Sequence, residues 1–262
     1  MTARTREELA TAERIVVKVG SSSISGESSW RIPMIVHALQ TAHGRGCEIV
    51  LVSSGAIATG FPFLDLEARP TDLATQQAAA AVGQNILVYR YQEALRPFGI
   101  VAGQVLLTTG DLGNATSRSN ARRAMERLLG LRILPIVNEN DTVATQEIRF
   151  GDNDRLAALV AQLIQADALV LLSDVEALYT RPPSDPGAEP IDLIPPDADL
   201  AGLEFGATVV NSVGTGGAAT KASAARLAAA SGIGVLVTSA DLVGRALAGE
   251  HIGTWFAPAV VA

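Results

Sequence analysis

Two lysines are the residues in this sequence whose placement points most directly to chemistry. Of the 20 basic residues, only Lys18 and Lys221 are lysines, and arginine supplies the rest. Each lies in a segment rich in glycine and small residues: VVKVGSSSIS spans residues 16–25, and VGTGGAATKASAARLAAA spans residues 213–230. A compact ammonium group suits a phosphate as a point charge, whereas a guanidinium group is larger and planar. The two lysines therefore suggest a site that handles phosphate.

The glycine-rich segments themselves have the features of anion-binding loops. Glycines leave backbone N–H groups accessible, and the N-terminus of a following helix directs more of them toward an anion. A lysine in the first turn of a helix, as predicted for Lys221, costs about 0.3–1 kcal/mol, which a bound phosphate would offset. Gly20 could act similarly beside Lys18, although a strand-end lysine can also extend its ammonium group to solvent. Neither the P-loop pattern nor G-x-G-x-x-G is present.

A second group of polar residues suits a carboxylate substrate. The segment LVSSGAIATG, residues 51–60, places Ser54 and Gly55 between an apolar run and the start of a helix. Free N–H groups at such a position favour an anion, although an ordinary turn with a serine cap has the same pattern.

Polar side chains are concentrated again in IVNENDTVATQEIRFGDNDRLAALVA, residues 136–161. Asp141 belongs to the first concentration, and Asp152, Asn153 and Asp154 form the second. Capping of the following helix would account for one of them but not for the whole cluster. Carboxylates and amides together predict a site for a zwitterion.

A further carboxylate, Asp174, follows the apolar run of LVLLSDVEALYT, residues 169–180. It could bridge Lys18 and Lys221 and hold both ammonium groups on one phosphate, or it could be a turn residue.

The pattern of apolar residues predicts the elements that must position these side chains. Apolar runs without polar alternation predict strands buried on both faces of a parallel sheet, at residues 14–19, 48–53, 100–107, 133–137, 168–172 and 234–238. Helices are predicted at residues 32–43, 72–95, 119–129, 154–165 and 221–230. This alternation predicts an α/β fold, a three-layer αβα sandwich with a mostly parallel central sheet. Residues 180–196, rich in Pro, Asp and Gly, are predicted to form an exposed excursion or hairpin.

Composition limits the classes of function. The 262 residues are 48% hydrophobic and 18% charged, which suits one large domain. A net charge of −7 argues against a nucleic-acid surface. The single cysteine, Cys47, precludes an internal disulfide and fits a reducing cytoplasm. We expect no secretory signal, no membrane span and, since the three histidines are scattered, no histidine-based metal site or Ser-His-Asp triad.

Taken together, these segments resemble the amino-acid kinase superfamily over nearly the whole chain. The order VVKVGSSS, VSSGAIATG, AAVGQ, VNENDTVAT, GDND, LLSDVEALY and GTGGAATK is similar in particular to that of its glutamate kinases. Acetylglutamate kinases and aspartokinases share the lysine and glycine segments but not VNENDTVAT with GDND. The resemblance implies ATP-dependent phosphorylation of the γ-carboxylate of L-glutamate, the first step of proline biosynthesis, with Mg²⁺ held mainly by the nucleotide and no metal ligand from the chain.

The resemblance also implies roles by position. Catalytic roles fall to Lys18 and Lys221, with Asp174 orienting them. ATP binding involves Lys18, Gly20, Ser173, Asp174, Thr215, Gly216, Gly217, Ala218, Ala219, Thr220 and Lys221. Glutamate binding involves Ser54, Gly55, Asp141, Asp152, Asn153 and Asp154. Residues 14–165 of a single domain would form mainly the glutamate site, and residues 166–262 mainly the ATP site.

Several further expectations follow from the resemblance. L-proline is a possible feedback inhibitor, a homo-oligomer (dimer or tetramer) is expected, and the C-terminal PUA domain of many relatives is expected to be absent. Ala218 stands where methionine is frequent and Arg149 where lysine is common. The alternatives are a related kinase acting on aspartate, acetylglutamate or a carbamate, and a non-catalytic amino-acid sensor. The missing fingerprint glycines disfavour a dinucleotide-binding oxidoreductase.

Overall fold

An eight-stranded β-sheet carries helices on both faces in the computed structural model, which describes residues 2–65, 70–143, 153–198, 200 and 217–260. The strands are β1 (Arg14–Lys18), β2 (Glu48–Val52), β3 (Ala102–Leu107), β4 (Leu134–Glu139), β5 (Ala168–Ser173), β6 (Leu193–Ile194), β7 (Gly234–Ser239) and β8 (Thr254–Phe256). The α-helices are α1 (Arg31–Gly44), α2 (Ala56–Gly60), α3 (Leu73–Leu95), α4 (Thr109–Gly113), α5 (Ala115–Gly130), α6 (Asn153–Leu163), α7 (Ala218–Ala229) and α8 (Val243–Leu247).

The order of the strands is β3-β4-β2-β1-β5-β7-β8-β6. The first six strands in this order, β3, β4, β2, β1, β5 and β7, run parallel to one another. The last two, β8 and β6, are parallel to each other, and β8 is antiparallel to β7. Near the middle of the sheet, Lys18 of β1 lies in register with Val52 of β2 and Leu171 of β5. The carboxyl ends of the parallel strands therefore meet at one edge, where ligands bind in sheets of this kind.

The sheet separates two hydrophobic cores. Ile15 and Val17 of β1 belong to the core beneath α1, α3 and α8, whereas Val16 belongs to the core beneath α4, α5, α6 and α7. Successive side chains of a strand point to opposite faces, so both must be apolar when helices cover both faces. This arrangement confirms the predicted three-layer αβα sandwich with its mostly parallel sheet.

All six predicted strands and all five predicted helices are present, with ends displaced by up to four residues. The sequence did not reveal β6 and β8, which have two and three residues and are too short to show a period. The predicted excursion at residues 180–196 begins beside an antiparallel bridge between Tyr179 and Pro190 and includes β6 near its end. It therefore also adds a strand to the edge of the sheet.

Helices α2 and α3 cross with their backbones in contact. A Cβ atom on Gly60 would overlap the carbonyl oxygen of Ala79, and one on Gly83 would overlap that of Ala56. Glycine inside a helix costs about 1 kcal/mol relative to alanine, so the close approach explains why Gly83 interrupts an alanine-rich helix. The crossing holds the β2–α2 turn against the sheet edge.

We predict that Gly83→Ala destabilises the protein by at least about 2 kcal/mol, because the added methyl group meets backbone atoms that cannot rotate away. Urea denaturation measures the change. The matched control is Gly130→Ala at the end of α5, where nothing lies within 4 Å of the new Cβ atom. Equal stability of the two variants would contradict the described crossing.

Candidate active site

A buried carboxylate joins the two lysines. One oxygen of Asp154, Oδ1, lies 2.7 Å from the Lys18 ammonium nitrogen. The other oxygen, Oδ2, lies 3.4 Å from that of Lys221 and accepts a hydrogen bond of 3.0 Å from the Thr220 hydroxyl. Relative exposure is 2% for Lys18, 1% for Asp154 and 5% for Lys221. Residues more than 200 positions apart in the chain therefore share one ion-pair cluster.

The charges of the cluster set the ionisation of Asp154. Burial alone would raise its pKa, but the two ammonium groups and the hydrogen bonds from Lys18 and Thr220 outweigh burial and lower the pKa to about 2. Asp154 is therefore ionised at neutral pH. One negative and two positive charges leave a net positive charge in the cluster, which favours a bound anion.

Three elements bring these side chains together at the sheet edge. Lys18 is the last residue of β1, and Asp154 lies in the first turn of α6, where the helix dipole favours a carboxylate. Lys221 lies in the first turn of α7, whose N-cap is Gly217. The dipole of α7 opposes the charge of Lys221, and Asp154 compensates for it.

The turn between β2 and α2 presents small polar residues to the same edge. Gly55 adopts a left-handed conformation with φ of 91°, and a Cβ atom there would lie 2.7 Å from the Ser25 hydroxyl oxygen. The Ser53 hydroxyl lies 3.1 Å from the Tyr91 hydroxyl, which α3 contributes from beneath. Ser54 lies between Ser53, which contacts Tyr91, and Gly55, which is left-handed, so both of its neighbours fix its position.

Four buried side chains form a chain of hydrogen bonds along the sheet edge. The Asn153 amide nitrogen lies 2.9 Å from the Ser54 hydroxyl oxygen and 3.0 Å from Asn138 Oδ1. The Asn138 amide nitrogen in turn donates to Gln84 Oε1 over 2.6 Å. Each of the four is no more than 8% exposed. Among the described residues, Asn153 Oδ1 and Gln84 Nε2 have no hydrogen-bond partner.

A cleft of about 280 Å³ opens beside these hydrogen-bonded side chains, and its lining includes Gln84, Glu139, Asn140 and Asp141. Asp141 is half-buried. Burial raises the pKa of Asp141 to about 6. A carboxylate held in a poorly solvated cleft is stabilised by a cation, so Asp141 is suited to an ammonium group.

The structure corrects the sequence-based expectation about which carboxylate lies between the two lysines. The carboxylate between the two ammonium groups is Asp154 and not Asp174, which is exposed and accepts a hydrogen bond of 3.1 Å from the Ser173 hydroxyl. Asp154, which was expected among the glutamate ligands, therefore contacts the lysines. Asp154 and Asp174 both border apolar elements in the sequence. Only the packing of α6 against β1 shows that Asp154 is the one that joins the two lysines.

The other expected site residues that the structure describes lie around this edge. Gly20 follows β1, and a Cβ atom on it would lie 3.8 Å from the Lys18 ammonium nitrogen. Ser173 ends β5, Gly217 caps α7, and Ala218 and Ala219 begin that helix. Asp152, Thr215, Gly216 and Arg149 lie outside the described residues.

Sequence reasoning missed Gln84 and did not single out Asn138 from its polar cluster. A signal for Gln84 is present, because Gln84, Leu87 and Tyr91 are spaced to share one buried face of α3. A buried glutamine needs hydrogen-bond partners, so its presence on a mostly apolar face indicates a specific polar contact.

The described residues contain neither a metal-binding cluster nor a membrane-spanning helix. Within residues 2–65, 70–143, 153–198, 200 and 217–260, no grouping of three or more His, Cys, Asp or Glu side chains could hold a metal ion. No helix among these residues is long and apolar enough to cross a membrane.

The fold and the lysine cluster define the class of protein. The family model described as the amino acid kinase family matches residues 13–239. The chain belongs to the amino acid kinase family. Solved structures show the same fold: the Giardia lamblia carbamate kinase bound to AMP-PNP has a TM-score of 0.68 at 17% identity, covering 95% of this chain and 100% of that one.

Curated relatives give a narrower comparison. A protein of Clavibacter michiganensis subsp. michiganensis, named "Glutamate 5-kinase", is 67% identical, and the match covers 97% of each chain. A Leifsonia xyli protein of the same name is 66% identical over 99% of this chain and 96% of its own length. One from Salinispora arenicola is 52% identical over 97% of this chain and 70% of its own. These matches confirm the resemblance to glutamate kinases.

We predict that Asp154→Asn destabilises the protein by about 3–5 kcal/mol at pH 7, because it leaves two ammonium groups buried without their carboxylate. Since the pKa of Asp154 is lowered, its contribution is complete above the ordinary pKa near 3.8 and is lost as the pH falls through about 2. Urea denaturation at several pH values measures both effects.

The control is Asp241→Asn, which breaks the pair with Arg31 at the surface, where Asp241 is 53% exposed. An exposed pair is worth at most about 1 kcal/mol. Equal losses in the two variants would contradict the structural role of Asp154.

Proposed function

We propose that this chain transfers the γ-phosphoryl group of ATP to the γ-carboxylate of L-glutamate. A carboxylate oxygen forms a bond to the γ-phosphorus as the bond to the ADP oxygen breaks, and the products are L-glutamyl 5-phosphate and ADP. The observation that carries the proposal is the convergence of Lys18 and Lys221 on Asp154 at the carboxyl edge of the sheet. The relatives named Glutamate 5-kinase support the choice of substrate.

The chemistry requires positioning and charge stabilisation, and it requires no general base. A carboxylate is already ionised at neutral pH, so no proton has to be removed before the attack. In phosphoryl transfer, charge spreads over the equatorial oxygens of the transferred group. Two ammonium groups in a poorly solvated site would stabilise that charge, and Asp154 would keep both in place before ATP binds.

The nucleotide end of the site is proposed to lie at α7 and β5. The N-terminal N–H groups of α7, at Ala218 and Ala219, favour a phosphate beside Lys221. Gly20 leaves space next to the Lys18 ammonium group for an approaching phosphate. Ser173 and Asp174 end the neighbouring strand and are proposed as further ATP contacts. Mg²⁺ would be held mainly by the ATP phosphates, as is usual for kinase sites.

The amino-acid end is proposed to lie along the β2–α2 turn and the cleft. Asp141 would bind the α-ammonium group of glutamate. The Ser54 hydroxyl accepts from Asn153, so its own hydrogen remains available to a carboxylate. Gly55 holds the turn that presents Ser54. In this division, residues 14–165 supply mainly the glutamate site, with Asp154 as an exception, and residues 166–262 supply mainly the ATP site.

The resemblance to glutamate kinases supports three more proposals. L-proline acts as a feedback inhibitor, the chain forms a homo-oligomer, and the protein works in the cytoplasm. None of these proposals changes the assignment of the site residues.

We predict that purified protein releases ADP from Mg-ATP only when L-glutamate is added, and that Lys18→Ala and Lys221→Ala each lower kcat by about 10²–10³-fold. The matched control is Arg245→Ala, which removes a cation from an exposed pair with Glu250. Absence of glutamate-dependent ADP release would refute the function. Undiminished turnover in either lysine variant would refute the assignment of the catalytic groups.

We predict that the KM for glutamate falls as the pH rises through about 6, because Asp141 then ionises and attracts the α-ammonium group. Asp141→Asn should raise this KM by about tenfold and remove its dependence on pH in this range, with the KM for ATP unchanged. Steady-state kinetics between about pH 5 and about pH 8 measure both effects.

A control is Asp72→Asn at the N-terminus of α3, where both side chains are equally good helix caps. A glutamate KM that keeps its pH dependence in Asp141→Asn would show that another group binds the ammonium.

A further inference from the structure

A backbone group fixes the direction of the buried hydrogen-bond chain. The Glu139 N–H donates to Asn138 Oδ1 over 2.9 Å, and a backbone N–H can only donate. The oxygen of the Asn138 amide must therefore face Glu139, and its nitrogen must face Gln84. Because that nitrogen donates, the Gln84 atom facing it must be Oε1. The orientation of both amides thus follows from one main-chain donor.

The same direction extends to the two ends of the chain. Asn138 Oδ1 also accepts from Asn153, so the amide nitrogen of Asn153 faces Asn138. That nitrogen also lies within hydrogen-bond distance of the Ser53 carbonyl oxygen and the Ser54 hydroxyl. An amide nitrogen does not accept, so the Ser54 hydroxyl hydrogen is not used in this contact and is available to another acceptor. At the opposite end, Gln84 presents its Nε2, a donor with no partner among the described residues. The hydrogen-bond chain therefore ends in a donor on each side, and each donor is suited to an anionic oxygen that accepts its hydrogen.

Gln84 lines the same cleft as Asp141. A side chain that is 92% buried leaves its donor unsatisfied at a cost, since a buried N–H without a partner loses its hydrogen bond to water. A ligand whose carboxylate accepts from Gln84 Nε2 and whose ammonium group lies beside Asp141 would satisfy the buried donor and balance the charge of Asp141. An α-amino acid carries a carboxylate and an ammonium group on one carbon, and it fits that pair.

We propose that Gln84 is a substrate-binding and specificity-determining residue, whose Nε2 donates to the α-carboxylate of the amino acid while its Oε1 fixes the orientation of Asn138, Asn153 and Ser54. The proposal deepens the proposed function and rests on it. In this proposal, the two carboxylates of glutamate are bound at different ends of the hydrogen-bond chain. Gln84 binds the α-carboxylate, and Ser54 faces the reacting γ-carboxylate.

The test is Gln84→Glu, which retains an acceptor for Asn138 and replaces the N–H donor by a carboxylate oxygen. We expect the KM for L-glutamate to rise by about ten- to a hundredfold, with little change in the KM for ATP. L-isoglutamine, the α-amide of glutamate, keeps the γ-carboxylate and offers an N–H donor in place of the α-carboxylate. Its KM should rise far less, or fall, in the variant.

The matched control is Gln92→Glu, the same change on the same helix. Gln92 accepts a hydrogen bond of 3.0 Å from the Ala102 N–H and is not among the residues that line the cleft. It should change thermal stability at most, and neither substrate's KM. A purely structural role of Gln84 would instead lower stability and raise both KM values by the same factor, which would overturn the proposal.

Two further outcomes keep the proposal separable from the function itself. If wild-type protein phosphorylates glutamate but Gln84→Glu has an unchanged glutamate KM, only the role of Gln84 is wrong. If wild-type protein shows no glutamate-dependent ADP release, the proposed function fails first. Should the variant not fold, a crystal structure of the wild-type protein with L-glutamate decides: Gln84 Nε2 lies within about 3.2 Å of an α-carboxylate oxygen, or the proposal is wrong.

Discussion

The rest of the site depends on one buried carboxylate that holds two ammonium groups. Burying charges is costly unless they are paired, and one carboxylate cannot neutralise two lysines. Asp154 therefore stabilises Lys18 and Lys221 in place while leaving an excess of positive charge at the sheet edge. Under the proposed function, that excess favours a phosphate, and side chains already held in place need little reorganisation to bind it. The cluster that stabilises the fold is thus also the one proposed to bind phosphate.

The topology of the sheet makes this cluster possible. β1 lies between β2 and β5, so a lysine at its end is close to the segments that follow both neighbours. Helices α6 and α7 pack on the same face, and their first turns bring Asp154 and Lys221 to that lysine. On the other side of β1, the β2–α2 turn is held by the close crossing of α2 and α3. Parallel strands and helix N-termini therefore position the residues that are proposed to bind the two substrates.

The sequence allowed the layers of the fold and the convergence of the two lysines to be predicted, because both follow from local patterns. Unbroken apolar strands imply helices on both faces, and strand ends imply a shared edge. The bridging carboxylate could not be predicted, since Asp154 and Asp174 both border apolar elements and differ only in how those elements pack. Gln84 was missed because its role depends on a hydrogen bond with Asn138, which is more than fifty residues away along the chain. Short strands near the sheet edge, such as β8, depend on pairing with their neighbours and leave no period in the sequence.

The most direct test of the central claim is a crystal structure with ADP, Mg²⁺, L-glutamate and aluminium fluoride, which mimics the phosphoryl group in transfer. The account predicts that the ammonium nitrogens of Lys18 and Lys221 both lie within about 3 Å of fluoride or terminal phosphate oxygens. It also predicts that Asp154 still contacts both lysines. A complex in which either ammonium group stays more than about 5 Å from the transferring group would contradict the account.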